Sequence, residues 1–95
     1  MTRIAIVGCG AIGKRHAEWA AKYGVLVACC DIKKERANNL ADKYCSCKAY
    51  NGMMTMLWDE RNDIDLVAIC VPNYLHRLLT NLALRSGYHV LCEII

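Results

Sequence analysis

Short, unbroken apolar runs separate longer amphipathic stretches along this 95-residue chain. The runs are Ile4 to Val7, Val25 to Cys30, Leu66 to Val71 and Val90 to Cys92. They are continuous instead of alternating, the pattern of strands covered on both faces by helices, and so predict a parallel sheet. Between the first two runs, Ile12, His16, Trp19, Ala20 and Tyr23 form one helical stripe, opposite Lys14, Arg15, Glu18 and Lys22. The stripe is expected to face the core, which favours a packing role for His16 over a catalytic one, and Gly24 stands where a C-cap belongs. After the second run, Ala37, Leu40, Ala41 and Tyr44 repeat the helical spacing. Cys47 to Tyr50 read as a short third strand, Met53 to Trp58 as a short helix or turn, and Arg61-Asn62-Asp63 as a loop. Past Pro72, a stripe of Leu75, Leu78, Leu79, Leu82 and Ala83 marks a longer helix, with Asn73 as N-cap and Gly87 as the stop.

Right-handed crossovers arrange this order of elements as an α/β fold, a doubly wound parallel sheet with strand order 3-2-1-4-5. Residues 1–95 make one small domain, able to bury roughly 65% of its unfolded surface.

The first strand runs into Gly8-Cys9-Gly10-Ala11-Ile12-Gly13, a G-x-G-x-x-G that opens a helix. Gly8 permits the tight turn, Gly10 lets backbone approach a pyrophosphate, and Gly13 lets the helix pack close to the sheet. Amides at the helix start, at the positive end of its dipole, suit phosphate. Asp31 ends the second strand, where an acid accepts hydrogen bonds from an adenosine ribose; as an alternative it N-caps the second helix. Its carboxylate repels a 2′-phosphate, which favours NAD, while Lys33 and Lys34 leave NADP possible. Val71, Pro72, Asn73 and His76 follow the fourth strand, beside the crevice where strand order reverses. The alternatives are helix-start punctuation for Pro72 and Asn73 and a solvated surface position for His76.

Lys and Arg number 12 against 9 Asp and Glu, and the excess is spread along the chain. It gives no reason to invoke nucleic acid or anionic membrane. No apolar stretch reaches the roughly 18 to 20 residues needed to span a bilayer, and Ile4 to Val7 is too short for a signal segment. A cytoplasmic location is expected. The 7 cysteines are then expected to be reduced, most of them packing as small hydrophobes. A metal or redox site at Cys45-x-Cys47 with Cys29 and Cys30 is disfavoured, because neighbours on a strand point to opposite faces.

Several motifs in register resemble the N-terminal domain of the Gfo/Idh/MocA oxidoreductases, the glucose-fructose oxidoreductase and inositol dehydrogenase group. They are Gly8 to Gly13 with His16, Asp31 to Ala37, Ala41 to Tyr44, Ile64 to Val67 running into Val71-Pro72-Asn73 and His76, and Gly87 to Glu93. The resemblance implies a Rossmann-like domain that binds NAD or NADP in an enzyme exchanging hydride with a sugar or polyol carbinol. It implies that backbone around Ala11 and Ile12 holds the pyrophosphate and Asp31 the adenosine ribose. Pro72, Asn73 and His76 fall to the nicotinamide-side ribose, and Glu93 lies beside the nicotinamide.

The family motif Glu-Lys-Pro reads Glu93-Ile94-Ile95 here. Isoleucine neither donates nor accepts a proton, a function worth ~10²- to 10⁴-fold in rate. The expectation is a truncated cofactor-binding domain without its sixth strand or C-terminal α/β domain, with no catalytic residues and no turnover of its own. Self-association through an exposed sheet edge or apolar face is expected with it. The alternative is a stand-alone nucleotide-binding or sensory module.

Overall fold

A computed structural model describes residues 1–92, with the backbone alone at Asn73. The elements are β1 (Arg3–Val7), α1 (Ala11–Tyr23), β2 (Val25–Cys30), α2 (Lys34–Ala41), β3 (Lys48–Tyr50), α3 (Met53–Asp59), β4 (Leu66–Ile69), α4 (Asn73–Arg85) and β5 (His89–Cys92). The strands form one parallel sheet in the order β3-β2-β1-β4-β5. Val7 stands opposite Cys30 on one side and Ile69 on the other. Cys30 in turn faces Tyr50, and Ile69 faces Cys92. All five strands therefore end on one rim.

Alternate strand residues supply separate cores on the two faces of the sheet. Ile4, Ile6, Leu26 and Cys29 pack with Ala17 and Ala20 of α1 and Ala37 and Leu40 of α2. Ala5, Val7, Cys30, Val67 and Ile69 pack with Met53, Met56 and Leu57 of α3 and Ala83 of α4. Cys29 and Cys30 thus lie on opposite faces, as strand geometry requires. On the described residues no helix is long and apolar enough to cross a membrane.

Helix faces depart from the expected stripes. In α1 the buried residues are Gly13, Ala17 and Ala20, whereas Trp19 is 46% and Tyr23 62% exposed. The reason is proximity: a Cβ on Gly13 would sit 1.9 Å from the Gly8 carbonyl oxygen, so only small side chains fit the buried face. The two large aromatics pair with each other outside, ring centroids 6.1 Å apart. In α4 Leu78 is 57% exposed and His76 is buried. Pro72, not Asn73, occupies the α4 N-cap, and Lys33, not Asp31, that of α2. Gly87, at φ +90°, follows the α4 cap as the expected stop. The run from Leu66 leaves the ladder after Ile69, short of Val71.

Candidate functional site

The glycine loop leaves the rim between β2 and β4. The Gly8 amide still donates to the Cys30 carbonyl at 2.8 Å, continuing the pairing past the end of β1. Gly8 has φ +96°, and a Cβ there would lie 2.4 Å from the Cys70 carbonyl oxygen, so conformation and space both require glycine. Gly10 differs: an added Cβ would meet no protein atom within 4 Å. Its α-carbon is bare toward open space. The first turn of α1 carries no acidic residue and no side-chain cap. The Ala11, Ile12 and Gly13 amides therefore have no intrahelical acceptor, and the first intrahelical bond is that of the Lys14 amide to the Gly10 carbonyl at 2.9 Å.

Asp31 braces the loop. Its Oδ2 accepts the Cys9 amide at 2.9 Å and its Oδ1 the Lys33 amide at 2.8 Å. A carboxylate has about four lone-pair sites, so each oxygen keeps one for a ligand hydroxyl. The Asp31 amide donates to the Tyr50 carbonyl at 3.2 Å. Asn51 donates from Nδ2 to the Asp31 and Ile32 carbonyls at 3.2 and 2.9 Å. The ends of β2 and β3 are thereby locked together behind the carboxylate.

Between these groups and the start of α4 lies a cavity of about 530 Å³, within the usual range for ligand pockets. It brings together Gly8, Gly10, Ala11, Ile12, Asp31, Val71 and Pro72 from the sequence reading. Arg36, Asn51, Met53, Leu75 and Leu79 join them unanticipated, as does Tyr74. A more open hollow of about 460 Å³ lies at the other end of the sheet, beside Met1, Thr2, Leu66 and His89. Ligands of open parallel sheets bind at the carboxyl ends of strands, so the cavity at the rim is the candidate.

Three expected residues do not line it. Gly13 lies beneath the loop as the contact between α1 and Gly8. Cys9 is buried at 1% exposure, with its Sγ 3.4 Å from the Cys30 carbonyl oxygen and its amide taken by Asp31. Its contribution is to the turn. His76 is neither solvated nor on the cavity wall; Nε2 meets the Val71 carbonyl and Nδ1 lies 2.8 Å from Cys92 Sγ. The Asn73 side chain and Glu93 lie outside the described residues.

The thiols under the rim are mostly held protonated. Burial, with Cys29 and Asp31 nearby, pushes Cys30 up to about 12. Cys9 and Cys47 each hydrogen-bond to Cys29, which raises both thiols and lowers Cys29 relative to them. Cys29 and Cys47 thus meet, but among the described residues no group of three or more His, Cys, Asp or Glu side chains is arranged to hold a metal ion. The rim presents backbone amides, one carboxylate with spare lone pairs, the Arg36 side chain and apolar walls. That chemistry suits a diphosphate, a vicinal diol and a flat ring system.

A family model described as an oxidoreductase family with an NAD-binding Rossmann fold matches residues 2–94. The chain belongs to the Gfo/Idh/MocA family. The Gfo/Idh/MocA chain is 36% identical over 94 residues to D-glucoside 3-dehydrogenase of Escherichia coli, covering 96% of itself and 26% of that protein. UDP-N-acetylglucosamine 3-dehydrogenase GnnA of Acidithiobacillus ferrooxidans superposes with a TM-score of 0.85 at 27% identity, covering 96% of this chain and 29% of that one. KijD10, a 3-ketoreductase of Actinomadura kijaniata solved with NADP and TDP-benzene, gives 0.81 at 29% identity, covering 96% and 28%. The chain therefore spans between a quarter and a third of the length of these relatives. The parallel order β3-β2-β1-β4-β5 and the glycine loop are those of an NAD-binding Rossmann domain.

Proposed function

We propose that the rim cavity binds a nicotinamide dinucleotide with its pyrophosphate on the Ala11 and Ile12 amides and its adenosine ribose on Asp31. The observation that carries this reading is the pairing of bare Gly10 with the braced Asp31 on one cavity. Gly10 leaves room for phosphate against backbone, and the dipole of α1 favours the negative charge. Asp31 accepts from the ribose hydroxyls through its spare lone pairs. Val71 and Pro72 bound the opposite wall, which supports a nicotinamide half lying toward the start of α4.

The Asp31 carboxylate repels a 2′-phosphate, so NAD is the preferred form. Arg36, on the same cavity, offsets part of that repulsion and keeps NADP as a weaker ligand. When bound, the nicotinamide ring supplies the hydride donor or acceptor. The protein's residues bind and orient it; Ile94, standing where the family motif carries lysine, moves no proton. The parent reaction we infer is hydride exchange with a secondary carbinol of a sugar or polyol, and the chain itself turns over no substrate. Calorimetric titration with NAD and NADP tests the reading. Saturable binding with NAD at least about tenfold tighter, a difference of ~1.4 kcal/mol, is expected. No heat from either nucleotide, or equal affinities, would overturn it, as would NADH formation by the chain with a polyol.

A further inference from the structure

A second cluster, away from the cavity lining, converges on one sulfur. Cys92 ends β5 and is partly exposed. Its Sγ lies 2.8 Å from His76 Nδ1 and 3.6 Å from Thr80 Oγ1, whose hydroxyl donates to it. On its far side the His76 ring is fixed by Nε2 against the Val71 carbonyl. A carbonyl oxygen only accepts, so Nε2 carries the ring proton and Nδ1 presents a lone pair to the thiol. His76 and Thr80 stand four residues apart, one above the other on α4. Cys92 is held opposite Ile69 by the β4–β5 pairing. A sulfur nucleophile, an imidazole acceptor and a carbonyl that orients the imidazole are thus set in a line on regular elements.

We propose that Cys92 is a modification site for small peroxides, with His76 as its proton acceptor. The thiol proton passes to Nδ1 as the sulfur attacks one oxygen of hydrogen peroxide. The S–O bond forms, the O–O bond breaks, and the leaving hydroxide takes the proton back from Nδ1 and departs as water. Sulfur is oxidised by two electrons to a sulfenic acid and the peroxide is reduced. The Thr80 hydroxyl stabilises the sulfur as its proton leaves. Cys92, His76 and Thr80 are absent from the cavity wall, so the oxidation requires no bound dinucleotide.

Exposed Cys45 provides the internal reference. The protein is treated with limiting hydrogen peroxide, sulfenic acid is trapped with dimedone, and peptide mass spectrometry gives the rate at each cysteine. General-base help reaches 10²- to 10⁴-fold in enzymes, and an open site stands below that, so Cys92 is expected to outpace Cys45 by about tenfold. His76→Asn is expected to bring Cys92 down to the rate of Cys45, and Thr80→Val to slow it severalfold. Cys92 at or below the rate of Cys45 in the unaltered protein overturns the proposal, whatever the variants do. So does a His76→Asn protein with unchanged circular dichroism that still oxidises Cys92 at the original rate.

Discussion

Gly10 and Gly13 belong to one motif, yet the structure separates their roles, and alanine at each position should fail in a different assay. At Gly13 the added Cβ would lie 1.9 Å from a backbone oxygen. No rotamer relieves that contact, so α1 must move off the Gly8 turn by about 1 Å or more, toward the 3.0 Å that real Cβ contacts keep. Overpacking against backbone costs about 3 kcal/mol, and the helix-propensity gain of alanine over glycine returns about 1 kcal/mol. The net loss, about 2 kcal/mol, lowers the melting temperature of a domain this size by roughly 8–16 °C. At Gly10 the Cβ meets no protein atom, and φ of −78° is open to alanine. Gly10→Ala should melt at or slightly above the unaltered protein, because a stiffer unfolded chain adds about 0.4–1 kcal/mol. Its methyl group instead occupies the place of the pyrophosphate. Losing one hydrogen bond to a charged oxygen removes about 1.5–3 kcal/mol, a weakening of NAD binding by at least about tenfold. Thermal unfolding by circular dichroism and calorimetric NAD titration read the two effects. Gly13→Ala melting within a degree of the unaltered protein refutes the packing argument. Gly10→Ala binding NAD undiminished refutes the phosphate argument.

Asp31→Asn keeps one acceptor oxygen but turns an amino group toward the Cys9 or Lys33 amide, so urea denaturation should show a loss of about 1–2 kcal/mol together with weaker NAD binding. Asp65, 3.0 Å from Arg3 Nη2, is held down to about 2 by its hydrogen bonds to Arg3. Its stabilising effect is complete above its ordinary value of 3.8 and is lost as pH falls toward 2; Asp65→Asn should flatten the acid limb of a melting-temperature profile over that window. Cys30, raised from 9.0 to about 12, stabilises the fold fully below pH 9 and loses that effect as pH rises toward 12. Cys30→Ala should reduce the alkaline decline by up to about 1.4 kcal/mol per pH unit, measured by urea denaturation across that range.

The strands were legible because a parallel sheet buries both faces of each strand, which leaves runs such as Ile4 to Val7 in plain view. Strand order followed from crossover handedness, and the glycine loop and Asp31 from their places at strand ends. Helix faces were harder. Hydrophobic bulk placed Trp19 and Tyr23 inside, whereas the close approach at Gly13 selects Ala17 and Ala20 for the buried face. In α4 the same habit put Leu78 inward and His76 outward, and the contact with Cys92 reverses the second. That contact spans 16 residues and depends on the β4–β5 register, which no local pattern contains. The Asp31–Cys9 bond, spanning 22 residues, is hidden for the same reason. Asn51 did carry a signal: it follows β3, whose end lies beside β2 on the rim in the predicted strand order.

The account rests on amides at the opening of α1 receiving a diphosphate. A crystal structure of the protein grown with NAD tests this most directly. The expected density places the pyrophosphate within hydrogen-bond distance of the Ala11 and Ile12 amides, over the bare α-carbon of Gly10, with the adenosine ribose hydroxyls on Asp31. Nucleotide bound at another surface, with solvent alone over Gly10, would contradict it.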